Sequence, residues 1–335
     1  MFRPMPSVEG VKRHIEKSLC LVWLTMASSV SSSLPFLCSS SSDPGPRVAL
    51  ITGCSEGGIG HALAKELAGR GYSVIATSRS ASSVGDDLRS QSNVEVVDLD
   101  VTSSISVSST VSSILQKYGR IDILINNAGV PCNAPIAEVP HSLVEGTFQT
   151  NVFGPISLIR AVAPYMVEAR QGKIVNIGSI GGFIAGPWSG IYAASKSALH
   201  ALTDSLRLEL RPFGVQVILV APGGVVSNFP KAAVSVIQNI RYAIYKSYEQ
   251  DIRTRAKYSQ SSRSIPTPIF ARKVIDVVLQ KNPPRCFTYG YLSWTYSFLY
   301  FMPLWLRDRY FSGKAGLDKP LGIVPHMSGV STKIT

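Results

Sequence analysis

Val48-Ala49-Leu50-Ile51-Thr52-Gly53-Cys54-Ser55-Glu56-Gly57-Gly58-Ile59-Gly60 is the stretch on which the fold turns. An apolar, β-branched run reads as a strand, and it ends in a cluster of glycines. A helical pattern follows, with Ala62, Leu63 and Leu67 near i, i+4 spacing and Gly71 as its stop. Glycines at such a turn let the backbone approach a pyrophosphate, whose charge is met by the N–H groups and dipole of the helix N-terminus. A glycine cluster alone is weak evidence, but its place between a first strand and a helix points to a dinucleotide site.

Outward from this unit the pattern repeats. Short β-branched runs at 48–52, 73–77, 94–97, 121–125, 173–177, 216–220 and 285–289 alternate with helical stretches such as 61–69, 142–170 and 190–211. Most of the runs are continuously apolar, as parallel strands covered on both faces must be. The expectation is an α/β protein: a single Rossmann-like, doubly wound parallel sheet of about seven strands, with right-handed crossovers and helices on both faces.

The chain has 335 residues, 45% apolar and 16% charged, which excludes a disordered tail, a collagen-like repeat and a small disulfide scaffold. Its 33 Lys+Arg against 21 Asp+Glu leave a net charge of +12, and nearly all of the surplus falls after Asn228. With no zinc-finger spacing, RNP motif or basic heptad helix, nucleic acid is not the expected partner. The five cysteines, Cys20, Cys38, Cys54, Cys132 and Cys286, are widely spaced without a CxxC pair, so neither a disulfide framework nor a cysteine-ligated metal is expected.

The end of the second strand reads Ala76-Thr77-Ser78-Arg79, with no acid until Asp86. An acid there would bond the ribose 2′-OH of NAD, whereas Arg79 pairs with a 2′-phosphate, so NADPH/NADP+ is the expected cofactor. Further along, Tyr192-Ala193-Ala194-Ser195-Lys196 sets a phenol and an ammonium at i and i+4 on one helix face. The Lys196 cation is expected to lower the pKa of Tyr192 from about 10 and make it a competent general acid.

Over residues 47–289 these motifs, with Asp100-Val101, Asn126-Asn127-Ala128-Gly129, Asn151, Ser179 and Pro222-Gly223-Gly224-Val225-Val226-Ser227 in the same order, resemble the short-chain dehydrogenase/reductase family. The resemblance implies that Ser179 holds the substrate carbonyl, Tyr192 donates the proton, Lys196 tunes Tyr192 and binds the nicotinamide ribose, and Asn151 positions a relay water. It implies cofactor contacts from Gly53, Ser55, Gly58, Ile59 and Gly60, from Arg79, and from Asp100 and Val101 at the adenine. Asn127 and Ala128 would line the ribose, Val225 and Ser227 would hold the carboxamide, and no metal is needed. The loop is one residue longer than the family's usual spacing, which leaves open whether Gly57 or Gly58 faces the pyrophosphate, and Glu56 is an odd charge beside it. Arg160 is read either as an orienting residue or as a surface cation.

The TGCSxGGIG loop, Arg79 and the long aromatic C-terminal extension look most like the 1-acyldihydroxyacetone-phosphate reductases, which reduce that lipid ketone to lysophosphatidate. Steroid and retinoid dehydrogenases are the alternative within the family, and an idle nucleotide-binding membrane scaffold is the alternative outside it. A phosphorylated substrate needs cations, and Lys231, Arg241, Lys246, Arg253, Arg255, Lys257 and Arg263 lie where the family folds its substrate lid. Among them Arg241, Arg253 and Arg255 are the candidate substrate-binding residues.

Three segments are expected: a Ser-rich extension or targeting segment at 1–46, the reductase domain at 47–290, and an aromatic, basic extension at 291–335. The uncharged run 286–306 is shortened to 291–306 once its start is read as the last strand, and Pro303 interrupts what remains. It is read as a helix or hairpin lying in one leaflet, or else as a packed flap over the active site. Peripheral attachment to endoplasmic reticulum or lipid droplets is expected, with a plastid as the alternative if the leader, with a second start at Met26, is a transit peptide. A lipid ketone and a membrane surface are thus the expected partners, alongside a homo-oligomer.

Overall fold

The computed structural model describes residues 45–238, 240–257 and 261–318. The leader therefore lies, up to residue 44, outside the described residues. Seven strands form one parallel sheet: β1 (Val48–Thr52), β2 (Ser73–Ser78), β3 (Val94–Asp98), β4 (Ile123–Asn126), β5 (Lys173–Ile177), β6 (Gln216–Pro222) and β7 (Cys286–Tyr289). Their order is β3-β2-β1-β4-β5-β6-β7, and the reversal between β1 and β4 opens the crevice where a doubly wound sheet binds its ligand.

The unbroken apolar character of the strands follows from their two covered faces. Along β1, Ala49 and Ile51 enter one core, while Val48 and Leu50 enter the other. The first core is closed by α1 (Ile59–Gly69) and α9 (Thr267–Val278), through Leu63, Leu67, Phe270 and Val274. The second is closed by α3 (Ser104–Tyr118) and α5 (Gly154–Glu168), through Val107, Val111, Leu158 and Val162. Between β2 and β3 lie a 3-10 turn at Ala81–Ser83 and a short helix, α2 (Asp86–Arg89). Ser103 caps α3, accepting from Ser106 N–H at 3.2 Å, and Gly119 ends it in the left-handed region.

Strand starts differ from the sequence reading by up to two residues. The helical stretch at 142–170 resolves into α4 (His141–Phe148) and α5, joined by a π-helical turn at Gln149–Phe153. That turn carries Asn151, in keeping with the frequency of π-bulges at functional sites. α6 (Gly190–Leu210) carries Tyr192 and Lys196.

Between β6 and β7 lie α7 (Phe229–Gln238), α8 (Glu249–Ala256) and α9. The lid they begin is fastened by one carboxylate. Glu138 accepts from the backbone N–H groups of Ala243, Ile244 and Tyr245 at 2.7, 2.8 and 3.1 Å. After β7 the aromatic segment forms α10 (Ser293–Tyr300) and α11 (Leu304–Ala315), with the break at Pro303. Trp188 ties these pieces to the catalytic helix. Its ring packs on Tyr245 and Tyr248, and its Nε1 donates to Ala315 O at 3.1 Å. Its backbone φ of 65° is uncommon for a bulky residue and sits two residues before α6 begins.

Candidate active site

The carboxyl ends of the strands border a cleft of about 460 Å³. At one end lies the glycine turn. Gly53 and Gly57 have φ near +70°, and a Cβ on Gly53 would meet Ala128 Cα at 2.9 Å. Gly58 faces the cleft with Gly53, Ser55, Glu56 and Ile59, whereas Gly57 turns away toward Asn228. Of the two, Gly58 is therefore the glycine that borders the cleft. The extra loop residue is taken up where Asn228 Nδ2 donates to Glu56 O at 2.7 Å. Gly60 does not line the cleft; a Cβ there would come within 2.4 Å of Gly53 O and Asn127 Nδ2, so it permits the helix to approach the loop.

Arg79 stands exposed at the end of β2, on the wall of the cleft. Beside it Ser55, Ser78 and Ser83 form a closed ring of hydroxyls, with Oγ–Oγ distances of 3.1, 3.0 and 2.8 Å. A cation next to clustered hydroxyls suits a phosphomonoester, and nothing acidic follows β2 directly to bond a 2′-OH. Asp100 is held below the usual carboxylate range by the N–H and hydroxyl of Thr102, at 2.9 and 2.8 Å, and by the charge of Arg79. Val101 and Ala128 complete this wall. Asn127 reaches the cleft while its Nδ2 donates to Thr52 O and Gly53 O at 2.8 and 3.0 Å. It positions the turn as well as lining the cleft. The close-fitting glycines and the Arg79–serine wall thus fit a phosphorylated dinucleotide, which supplies the hydride when bound.

Ser179, Tyr192 and Lys196 meet at the other end of the cleft. The Tyr192 ring lies 5.6 Å from that of Phe229, and the Ser179 hydroxyl is close enough to act on the phenol. Lys196 Nζ donates to Ile177 O at 2.8 Å and sits 6.0 Å from the centre of the Tyr192 ring. The sequence reading of the phenol needs correction. Burial raises the Tyr192 pKa above its ordinary value, and the Ser179 hydroxyl and the Arg255 charge only oppose that rise. Tyr192 is therefore held protonated, as a proton donor requires. Burial pushes Lys196 down to about 8, so it remains mostly cationic at neutral pH.

Asn151 is buried, with Oδ1 accepting from Val130 N–H at 2.8 Å and Nδ2 donating to Val130 O and Ser195 Oγ, both at 3.0 Å. A Cβ on Gly129 would lie 3.3 Å from Asn151 Oδ1 and 3.5 Å from Lys196 Nζ, so both side chains converge on the Gly129 backbone. Val225 and Ser227 line the cleft between these ends.

Of the three lid arginines, only Arg255 reaches the cleft, where its Nη2 donates to Ser189 Oγ at 3.1 Å. Arg253 instead pairs with Glu249 at 2.6 Å, one helical turn away on α8. Arg241 is exposed and does not border the cleft, and Arg160 is likewise an exposed cation away from it.

His200 belongs to none of the motifs read from the sequence. Its Nε2 accepts from Ser179 N–H at 3.3 Å, and Cβ atoms on Gly178 or Gly182 would strike its ring at 2.3 and 2.5 Å. Burial, assisted by the Lys196 charge, pushes it down to about 4, so it is a neutral acceptor behind Ser179. Its signal was its place four residues after Lys196, on the same helix face. Ser78, Ser83 and Glu138 were also missed, because hydroxyl clusters and lid anchors depend on loops that carry no periodicity.

The short chain dehydrogenase family matches residues 47–235. The 3-ketodihydrosphingosine reductase of Bacteroides thetaiotaomicron is 37% identical over 71% of this chain and 86% of its own. The NADPH-dependent 1-acyldihydroxyacetone phosphate reductase of Saccharomyces cerevisiae is 30% identical over 82% of this chain and 92% of its own. Among solved structures, a short-chain dehydrogenase from Streptomyces avermitilis superposes with a TM-score of 0.68 at 26% identity, covering 83% of this chain and 100% of that one. A metagenomic short-chain oxidoreductase in complex with NADP superposes with a TM-score of 0.51 at 32% identity, covering 58% and 91%. With its crevice, its glycine turn and its Ser179, Tyr192 and Lys196 in one cleft, this NADP(H)-dependent oxidoreductase belongs to the short-chain dehydrogenase/reductase family.

Proposed function

We propose that the protein reduces the ketone of an amphipathic lipid, and that 1-acyl-dihydroxyacetone phosphate, giving 1-acylglycerol 3-phosphate, fits its cleft best. The observation that carries this reading is Arg255, a lid cation facing the cleft that also holds Ser179 and Tyr192, among apolar side chains such as Ile180, Phe229 and Tyr296. A phosphate at Arg255 and an acyl chain along the apolar wall would present the ketone between them. Ser179 would donate to the carbonyl oxygen and stabilise its growing charge. The Tyr192 hydroxyl would give its proton to that oxygen as hydride reaches the carbonyl carbon, and Lys196 would compensate the phenolate that remains.

Two relatives act, by name, on lipid ketones, one phosphorylated and one a sphingoid base. The cation at Arg255 favours the anionic substrate over the amino-bearing one, and over a steroid or retinoid, which offers it no charge. NADPH oxidation should be measured with acyl-dihydroxyacetone phosphate, its dephosphorylated analogue and a steroid ketone. Arg255→Ala is expected to raise KM for the phosphorylated substrate alone, by roughly 10- to 100-fold, the scale of one lost charge-assisted hydrogen bond. Equal kcat/KM for the phosphorylated and dephosphorylated ketones would defeat the reading.

A further inference from the structure

The apolar side chains of α10 and α11 divide into two sets. Tyr296, Leu299 and Phe311 are buried with Ile180 and Ile184, directly after the catalytic serine. The packed-flap reading of this segment thus holds for one of its faces. The other face carries Trp294, Phe298 and Phe301 at i, i+4 and i+7, with exposures of 89, 57 and 69%. Leu304 and Trp305 follow on α11 at 65 and 66%, and Tyr300 flanks them at 51%.

Five of the six are aromatic, at about 150–250 Å² each, so together these side chains expose roughly 700 Å² between positions 294 and 305. Isolated surface hydrophobes need no explanation, but a patch on this scale marks an interaction site. Two properties say what covers it. First, tryptophan and tyrosine predominate with phenylalanine, the mixture that seats at a headgroup boundary, and among the described residues no helix is long and apolar enough to cross a membrane. Second, the surroundings carry a net positive charge: Arg309 and Lys314 are exposed on α11 beside one exposed acid, Asp308, and Lys246 and Lys257 are exposed on either side of α8, which packs on α11. Cations beside a shallow apolar ridge complement anionic lipid.

We propose that this ridge lies in the headgroup region of an anionic lipid surface, with α10 and α11 resting on one leaflet. Tyr291 and Tyr296 line the cleft from the root and inner face of the same segment, so the ridge stands beside the catalytic opening. On the lipid-ketone reading above, substrate would enter from the membrane side; the ridge itself requires only a bilayer.

Vesicle flotation of the full chain, without substrate, tests this with phosphatidylcholine alone and with added phosphatidylserine. Wild type is expected to float with both and more strongly with phosphatidylserine. Trp294→Ser/Phe298→Ser/Trp305→Ser should lower partitioning more than tenfold while NADPH oxidation on a water-soluble ketone is unchanged, since none of the three lines the cleft. Arg309→Glu/Lys314→Glu should remove the preference for phosphatidylserine. Trp294→Phe/Trp305→Phe, which keeps the apolar bulk, should lose most of the fluorescence quenching caused by brominated phosphatidylcholine. Failure of wild type to float, unchanged partitioning of the triple variant, or unchanged quenching in the double variant would each overturn the proposal. So would a wild-type dimer that the triple variant converts to monomer without altering flotation, since a second copy would then cover the ridge. Because flotation and quenching are read without any ketone, these failures are separate from a failure of the substrate assignment.

Discussion

His200 makes the stability of this protein pH-dependent in a defined window. Its pKa falls from an ordinary 6.5 to about 4 because the folded chain buries it as a neutral acceptor for the Ser179 N–H. Between those values the unfolded chain binds a proton that the folded chain refuses, so stability is fully present above about 6.5 and is lost as pH falls toward 4. Each tenfold difference in proton affinity between the two states is worth about 1.4 kcal/mol, so the loss from pH 7 to pH 4.5 comes to roughly 2 kcal/mol from this one side chain. His200→Gln keeps a carbonyl oxygen to accept from Ser179 N–H and removes the titration. Urea unfolding at pH 7, 5.5 and 4.5 is the assay, read as the difference between wild type and variant so that other titrating groups cancel. The two proteins should diverge by roughly 2 kcal/mol over the range, the variant losing less. Parallel curves, or an NMR titration placing the His200 pKa near its ordinary value, would refute the reasoning.

Arg79→Ala should raise KM for NADPH by roughly 10- to 100-fold and leave NADH kinetics nearly unchanged, because only the 2′-phosphate requires that cation. Steady-state kinetics with both cofactors checks this. Glu138→Ala removes the acceptor of three lid N–H groups and should raise KM for the ketone several-fold, while NADPH affinity, measured by fluorescence titration, stays within about twofold. Gly57→Ala forces a Cβ into φ +70° and to within 2.6 Å of Asn228 Nδ2, and should cost about 1–2 kcal/mol, a Tm drop of roughly 3–6 °C by calorimetry.

Much of the architecture was legible in the sequence because it is written in local chemistry. Parallel strands covered on both faces must be apolar throughout, and β1, β5 and the start of β6 fall where the β-branched runs do. The helical period put Tyr192 and Lys196 on one face, and the resemblance to the short-chain dehydrogenase/reductase family singled them out, while the glycine turn needed its place between strand and helix. Arg79 was legible because the end of β2 is defined by the strand before it.

Other features depended on distance. Which of Gly57 and Gly58 borders the cleft rests on Asn228, 171 residues from Gly57, and on the bond it gives to Glu56 O. Which lid arginine lines the cleft could not come from charge, since Arg253 and Arg255 differ by two positions on one helix. The direction of the Tyr192 shift reversed once burial was known, because desolvation is set by the whole surrounding chain rather than by the neighbour at i+4. Residue types and their spacing determined the fold and the cofactor class, and through the family resemblance they named the candidate catalytic residues. The tertiary structure alone decided which side chains share the cleft, how each one titrates, and that an aromatic segment buries one face on the active site and leaves the other bare.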